Sequence, residues 1–265
     1  MNRRATVVAW GAGIGLLCGL GCSSGFAQAE PASDFRLTAN LSAFTDYIFR
    51  GVSNSDHGPV AQAGGKLEHT PSGLYASVWG SNVDFKPWFK TGGDPDFEID
   101  LSAGWAKSIA GVNLDLGVVH YDYPGGSRAF QLDYEEYYLG LGYSIKDLAL
   151  GAKYFYSPDF TGSVTNDSAS YIDLTAEYPL PYDMKISGHY GHSFGSYFEK
   201  ALDLNGNAID HYGDYRIGIS KAIEGIVVSL NWSGVDSSGQ DWQEAGGTRG
   251  LARNQVVLGI SKDFP

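Results

Sequence analysis

Apolar and polar positions alternate with a period of two along most of the chain. The clearest stretch is residues 97–107, where Phe97, Ile99, Leu101, Ala103 and Trp105 oppose Glu98, Asp100, Ser102, Gly104 and Ala106. Successive side chains of a strand point to opposite faces, so this segment has one apolar face and one polar or small face. Residues 35–49 repeat the pattern, with Phe35, Leu37, Ala39, Leu41, Ala43 and Tyr47 against Arg36, Thr38, Asn40, Ser42 and Asp46. Segments 112–118, 136–145, 148–157, 171–178, 182–191, 215–220, 226–232 and 255–264 follow suit, and 61–69 and 75–85 are further strand candidates. Template matching therefore predicts about twelve strands. Helical periodicity is nearly absent after Ala29.

The connections alternate in length. Short ones are centred on Pro71, Ala110, Lys146, Leu180 and Glu224, whereas long polar ones cover residues 50–58, 85–96, 122–133, 158–170, 193–211 and 233–252. Short turns at one end and long loops at the other is the layout of a transmembrane antiparallel up-and-down β-barrel, with the turns periplasmic and the loops outside. A soluble sandwich has no reason to alternate so strictly. Aromatic residues gather toward strand ends, as expected where an amphipathic ring meets lipid headgroups. Tyr47, Phe49, Phe97, Tyr121, Tyr123, Tyr154, Tyr156, Tyr190 and Trp232 approach long loops, and Phe35, Tyr143, Tyr178 and Tyr182 approach short turns. The final strand ends on Phe264, as barrels commonly do, although Pro265 follows and Lys262 interrupts its apolar set.

The N-terminus adds a destination. Arg3 and Arg4 precede an uncharged run, and Ala27-Gln28-Ala29 is a small-x-small cleavage pattern, so residues 1–29 are expected to be a signal peptide and 30–265 the barrel. A lipid anchor on Cys22 is the alternative, but Gly19-Leu20-Gly21 lacks the usual large aliphatic residue upstream. Both cysteines, Cys18 and Cys22, fall within the signal. The exported chain then has neither disulfides nor thiolate metal ligands. Losing Arg3 and Arg4 moves the net charge from −12 to −14. Such acidity argues against nucleic acid as a partner. The expected partners are outer-membrane lipids, the barrel-assembly machinery during biogenesis, and small hydrophilic solutes or ions.

The segment Thr45-Asp46-Tyr47-Ile48-Phe49-Arg50-Gly51-Val52-Ser53-Asn54-Ser55-Asp56 resembles the opening signature of the TorF family of proteobacterial outer-membrane porins. The likeness continues through residues 59–65, 73–85 and 98–101, and returns at 121–125 and 134–138. It implies a porin-like barrel, and brings no catalytic or binding residues with it.

Motifs of other chemistries are weak. His192 and Ser193 are neighbours, so alternation places them on opposite faces and speaks against a barrel hydrolase. Asp84, Asp94 and Asp96 flank Gly92-Gly93 without the spacing of a calcium loop, and read as a solvated acidic connection. No helix follows Gly125-Gly126 or Asn205-Gly206-Asn207, which are turn chemistry and not phosphate cradles. Nothing calls for a metal or cofactor.

The inward charges are the candidate site. Strand register puts Arg36, Arg50, Lys66, Lys153, Lys185 and Arg216 in one lumen with Asp46, Glu68, Glu98, Asp100, Asp115, Glu136, Asp173, Glu177 and Asp214. Gly104, Gly117, Gly140, Gly142 and Gly218 on the same face are expected to leave room for water. The expectation is a narrow, weakly cation-preferring channel, intermediate between filled eight-stranded barrels and wide sixteen-stranded ones. A barrel lipase or protease, and a structural or adhesive barrel without conduction, are the alternatives.

Overall fold

A computed structural model describes residues 34–88, 93–126, 132–162, 166–203, 205–245, 248 and 250–265. The expected signal peptide lies outside them. The alternating segments become long strands: β1 (Phe35–Phe44), β4 (Val60–His69), β5 (Leu74–Asn82), β6 (Phe97–Ile109), β7 (Val112–Asp122) and β8 (Tyr134–Ile145). They continue as β9 (Leu148–Ser157), β10 (Ala169–Leu180), β11 (Met184–Phe194), β12 (His211–Ile223), β13 (Ile226–Val235) and β14 (Gln255–Phe264). Two very short strands, β2 (Ile48–Phe49) and β3 (Val52–Ser53), lie inside the first long connection. The twelve long strands form one closed barrel, each antiparallel to its neighbours. Closure joins β1 to β14, from Ala39 opposite Phe264 to Phe44 opposite Gly259. No edge is left unpaired, which is what a sheet in lipid requires.

Tight hairpins set the short end. Ala110-Gly111 and Glu224-Gly225 both take positive φ at their two central residues (51° and 85°; 51° and 79°). That conformation matches the right-handed twist of the flanking strands. At the long end, α1 (Ser196–Glu199) and α2 (Ser237–Ala245) lie in the loops. The Asp236 carboxylate accepts the Gly239 N–H at 3.0 Å and so caps α2, an element that strand periodicity had no means of revealing.

The barrel is apolar outside and polar within. Leu41, Leu67, Leu101, Leu116, Leu139, Leu174, Ile217, Leu230 and Leu258 all point outward and are exposed. Leaving such side chains in water forfeits roughly 1.5–3 kcal/mol each, and a continuous band of them demands lipid. Phe97, Tyr154, Tyr156, Tyr190 and Trp232 stand outward toward the loop end; Phe35, Tyr143, Tyr178 and Tyr182 do so toward the turns. The expected outer belt is corrected at Tyr47 and Tyr121, which are fully buried inside. Phe49 and Tyr123 also pack against interior clusters. The reasons differ. β7 runs on to Asp122, so Tyr121 shares the inward register of Asp115, while β1 stops at Phe44 and the chain then turns into the barrel.

Leu101→Arg should impair assembly, because a charge at mid-bilayer costs about 2–4 kcal/mol. Ser102→Arg, one residue along and facing inward, should assemble. The fraction of heat-modifiable folded barrel in membranes measures both; equal tolerance would contradict the assignment of faces.

Candidate functional site: the barrel interior

The connection expected outside, residues 50–58, folds into the lumen instead, together with residues 45–49, which were expected to continue the first strand. Thr45 leaves the wall by donating its N–H to the Leu258 carbonyl at 3.0 Å. β2 and β3 then form a miniature hairpin around Arg50 and Gly51, both left-handed with φ of 47° and 81°. A side chain at Gly51 would meet Val235 Cγ1 at 2.4 Å and Asp214 Cβ at 2.8 Å, so glycine lets this tip approach the wall. Asp46 knots the loop: its carboxylate accepts Ser53 Oγ–H at 2.6 Å and Ser55 Oγ–H at 2.9 Å, and lies 2.8 Å from His57 Nδ1. His57 Nε2 is 2.7 Å from the Gly250 carbonyl in the last loop. Most of these residues belong to the segment that carries the TorF likeness.

Arg50 fastens the loop to the wall. Its Nη2 donates to both oxygens of Glu136, at 2.7 and 2.6 Å, and Tyr121 Oη–H donates to the same carboxylate at 2.9 Å. The guanidinium lies 4.2 Å from the Tyr171 ring centroid and 4.8 Å from that of Phe49. Tyr212 Oη–H donates to the Arg50 carbonyl at 3.2 Å. The Arg50 and Glu136 side chains are only 5% and 1% exposed. An ion pair this deep is costly to desolvate, but removing one partner alone strands a buried charge.

The other inward charges form local sets. Tyr47 Oη–H donates to Glu98 at 2.7 Å. Asp100, two residues on, is buried, and its Oδ1 has no hydrogen-bond partner among the described residues. Tyr75 Oη–H donates to Asp115 at 2.7 Å and also touches the Tyr138 hydroxyl. Lys153 Nζ donates to Asp115 at 3.1 Å while lying 3.7 Å from the Tyr138 centroid. His189 bridges Asp173 and Asp214, at 2.9 and 2.8 Å. Nearer the turns, Glu68 pairs with Arg36 at 2.7 Å and lies 3.8 Å from Lys66, and Lys185 pairs with Glu177 at 3.0 Å. The Arg216 side chain makes no hydrogen bond or ion pair among the described residues, although its backbone is paired on both sides.

The inward charges most open to water lie toward the turns. The Arg36 side chain at the turn end is 49% exposed, and Glu177 and Asp173 are still 30% and 28% exposed. Toward the loops, Glu98, Glu136 and Asp214 are buried beneath an aromatic cluster of Tyr121, Tyr134, Phe155, Phe160, Tyr171 and Tyr212. Trp242 of α2 stacks on Tyr212 at 5.3 Å and closes the top of this cluster. The interior is thus a partly open vestibule at the turn end, where Tyr75 and Asp115 are nonetheless buried, and a packed plug at the loop end.

Three of the glycines expected to leave space are covered. A side chain at Gly104 would strike Tyr75 Oη at 2.6 Å, one at Gly117 would strike Tyr138 Oη at 2.4 Å, and one at Gly218 would strike Asn231 Oδ1 at 2.2 Å. Here the missing side chain makes room for a neighbour's ring or amide, not for water. The lumen tyrosines and His189 escaped a reading that followed formal charge, although alternation marks His189 and Tyr121 as inward. Ser193 is buried inside, whereas His192 faces out beside Phe194 and His211, so no hydrolase pair is assembled. Among the described residues no cluster of acids, histidines or cysteines can hold a metal ion.

A family model described as "Bacterial protein of unknown function (Gcw_chp)" matches residues 28–264. The chain belongs to the Gcw_chp family. No curated protein matches it. Among solved structures, this Gcw_chp barrel is similar to the KdgM porin, with a TM-score of 0.53, 9% identity, and 86% of this chain and 99% of the other covered. KdgM porin in complex with disordered oligogalacturonate gives 0.51, 8% identity, and coverage of 86% and 99%. A chain from work on the in-meso crystallization of membrane proteins gives 0.51, 11% identity, and coverage of 86% and 83%. At such identities the likeness establishes the porin fold alone.

Arg50→Ala should destabilise this Gcw_chp barrel by about 3–5 kcal/mol, because Glu136 is left charged and buried. Replacing both partners with apolar residues (Arg50→Met with Glu136→Leu) should recover most of that loss. The heat-modifiability midpoint on gels reads both variants; a double variant no better than Arg50→Ala would contradict an ion pair as the fastening.

Proposed function

We propose that the protein is a porin-like channel of the bacterial outer membrane, reached through a cleaved signal peptide and assembled by the barrel-assembly machinery. It passes small hydrophilic solutes or ions without a chemical step. The observation that carries this reading is the partly open, charge-lined vestibule inside an apolar shell. A purely structural barrel does not need ionisable groups held open to water in its lumen. The TorF-like segment and the porin fold support the same reading. The inserted loop makes the path narrow, so a low conductance is expected.

Weak cation preference follows from charge. Nine inward acids face six inward bases, and most of these bases are already paired, so the acids dominate the residual field. In a partly desolvated pore that field acts less screened than in bulk, and it fades as salt rises. Asp173 and Glu177, the most exposed of the inward acids, contribute most.

One observation favours a second reading. The aromatic plug at the loop end is as well packed as a protein core, which suits a closed barrel whose outer loops act by adhesion. Single-channel recording of refolded protein separates the two. We expect small cation-leaning currents, with the reversal potential moving toward anions in Asp173→Asn with Glu177→Gln. Anion selectivity in the wild type, or an unmoved potential in the double variant, contradicts the charge argument. A folded barrel that carries no current supports the closed reading.

A further inference from the structure

His57 sits where the inserted loop meets the last loop, and both of its ring nitrogens face acceptors. Nδ1 lies 2.8 Å from Asp46 Oδ2, and Nε2 lies 2.7 Å from the Gly250 carbonyl oxygen. A carbonyl has no proton to give, and a neutral imidazole carries a single N–H. Wherever the proton between Nδ1 and Oδ2 sits, His57 and Asp46 together hold one more proton than a neutral ring and a carboxylate do. The arrangement is that of an imidazolium donating on both sides. The His57 side chain is 19% exposed, so the ring can exchange protons with solvent.

The backbone beneath the ring is strained. Asp56 and His57 are consecutive left-handed residues without being glycine, with φ of 48° and 60°. Such conformations persist where surrounding contacts impose them. The His57 N–H donates to Ser53 Oγ at 2.9 Å, and the ring adds its two bonds. Across the junction, the Ser53 N–H donates to the Leu251 carbonyl at 3.0 Å, and the Thr248 N–H to the Gln243 carbonyl of α2 at 2.9 Å. The contact between His57 and Gly250 therefore ties the inserted loop to the segment that carries Trp242. No other charged side chain bonds the ring among the described residues. Asp56 beside it is exposed; Gly250, Leu251 and Ala252 are uncharged, and Arg253 next to them is exposed. Asp84 reaches the inserted loop through its N–H to the Asn54 carbonyl and is itself paired with Lys86. From the wall, Glu98 meets the loop at Tyr47 and Glu136 meets it at Arg50.

We propose that His57 is a pH-operated clasp between the inserted loop and the last loop, closed while the ring carries both protons and released at Gly250 when it loses one. The direction follows from the two acceptors. A neutral ring keeps its single N–H for the carboxylate, where the bond is charge-assisted. Nε2 then turns a lone pair toward the Gly250 carbonyl at a separation suited only to a hydrogen bond. Protonation therefore stabilises the clasped state, and the clasp is lost as pH rises through the range in which histidine changes charge. The last loop and α2 then loosen over the plug, while the strands and their pairing stay as they are. The clasp works whether or not the barrel conducts.

Hydrogen–deuterium exchange of the refolded full barrel, read by mass spectrometry on peptides covering residues 45–59 and 237–252, tests the clasp. Amide exchange is chemically faster at higher pH, so each rate is taken relative to the exposed loop around Gly206. In the wild type the relative exchange of both peptides should rise severalfold between about pH 5 and 8. His57→Ala, with no donor in place of the ring, should exchange fast at both pH values. His57→Arg, a permanently charged planar donor, should stay protected at both. Heat-modifiability should not change across the same range. Equal relative exchange at the two pH values in the wild type overturns the clasp, as does a pH response that survives in His57→Arg. Loss of heat-modifiability over that range would place the response in the whole barrel and overturn the clasp too. Conductance enters none of these readouts, so the channel reading stands or falls separately.

Discussion

The interior depends on one ion pair made far from water. Arg50 reaches from the first loop to Glu136 on β8, and the loop's position inside the barrel follows from that contact. A guanidinium cannot shed its charge, so once the loop enters the lumen it must find a carboxylate. Glu136 supplies it, Tyr121 adds a hydrogen bond to the same carboxylate, and the guanidinium carbon lies over the Tyr171 ring. The aromatic cluster then packs around a loop already fixed in place. Without that pair, a segment carrying Asp46, Arg50 and Asp56 has every reason to remain in solvent.

A division of the barrel into two halves follows. At the loop end, inward tyrosines and phenylalanines fill the lumen and leave the acids among them dry. At the turn end, the inward residues other than Tyr75 are mostly small or paired charges, and Asp173 and Glu177 stay partly exposed. Solute chemistry belongs to this second half. The same inward register produces both, because most of the large aromatic residues occupy it toward the loops and, Tyr75 apart, mainly glycine, serine and charged residues toward the turns.

Much of this was legible in residue order. A period of two in segments such as 97–107 gives the strands and their faces, since a one-residue slip would expose every apolar side chain to the lumen. Alternating loop lengths give the orientation of hairpins. What alternation cannot report is where a loop goes once the strand stops. Tyr47 follows the outward parity of β1, yet β1 ends at Phe44 and parity ceases to mean anything beyond it. Pairing is equally hidden. Arg216 and Lys153 look alike as inward bases, and only the contacts of Asp115 and Asp214 distinguish an engaged base from a free one. The role of Gly104 and Gly117 as seats for Tyr75 and Tyr138 is likewise a property of neighbouring strands.

Burial of the first loop within the lumen is the claim on which the rest stands. The exported chain is expected to contain no cysteine, so a single reporter can be read without background. Ser53→Cys places a thiol of nearly the same size at a fully buried loop position, and Gly206→Cys places one on an exposed outer loop. The rate of labelling by a membrane-impermeant maleimide, on intact cells and on refolded barrel, compares them directly. The account predicts slow labelling at Ser53→Cys against fast labelling at Gly206→Cys, with protection lost when Arg50→Ala is added. Labelling of Ser53→Cys as fast as Gly206→Cys in the otherwise unaltered protein would contradict it.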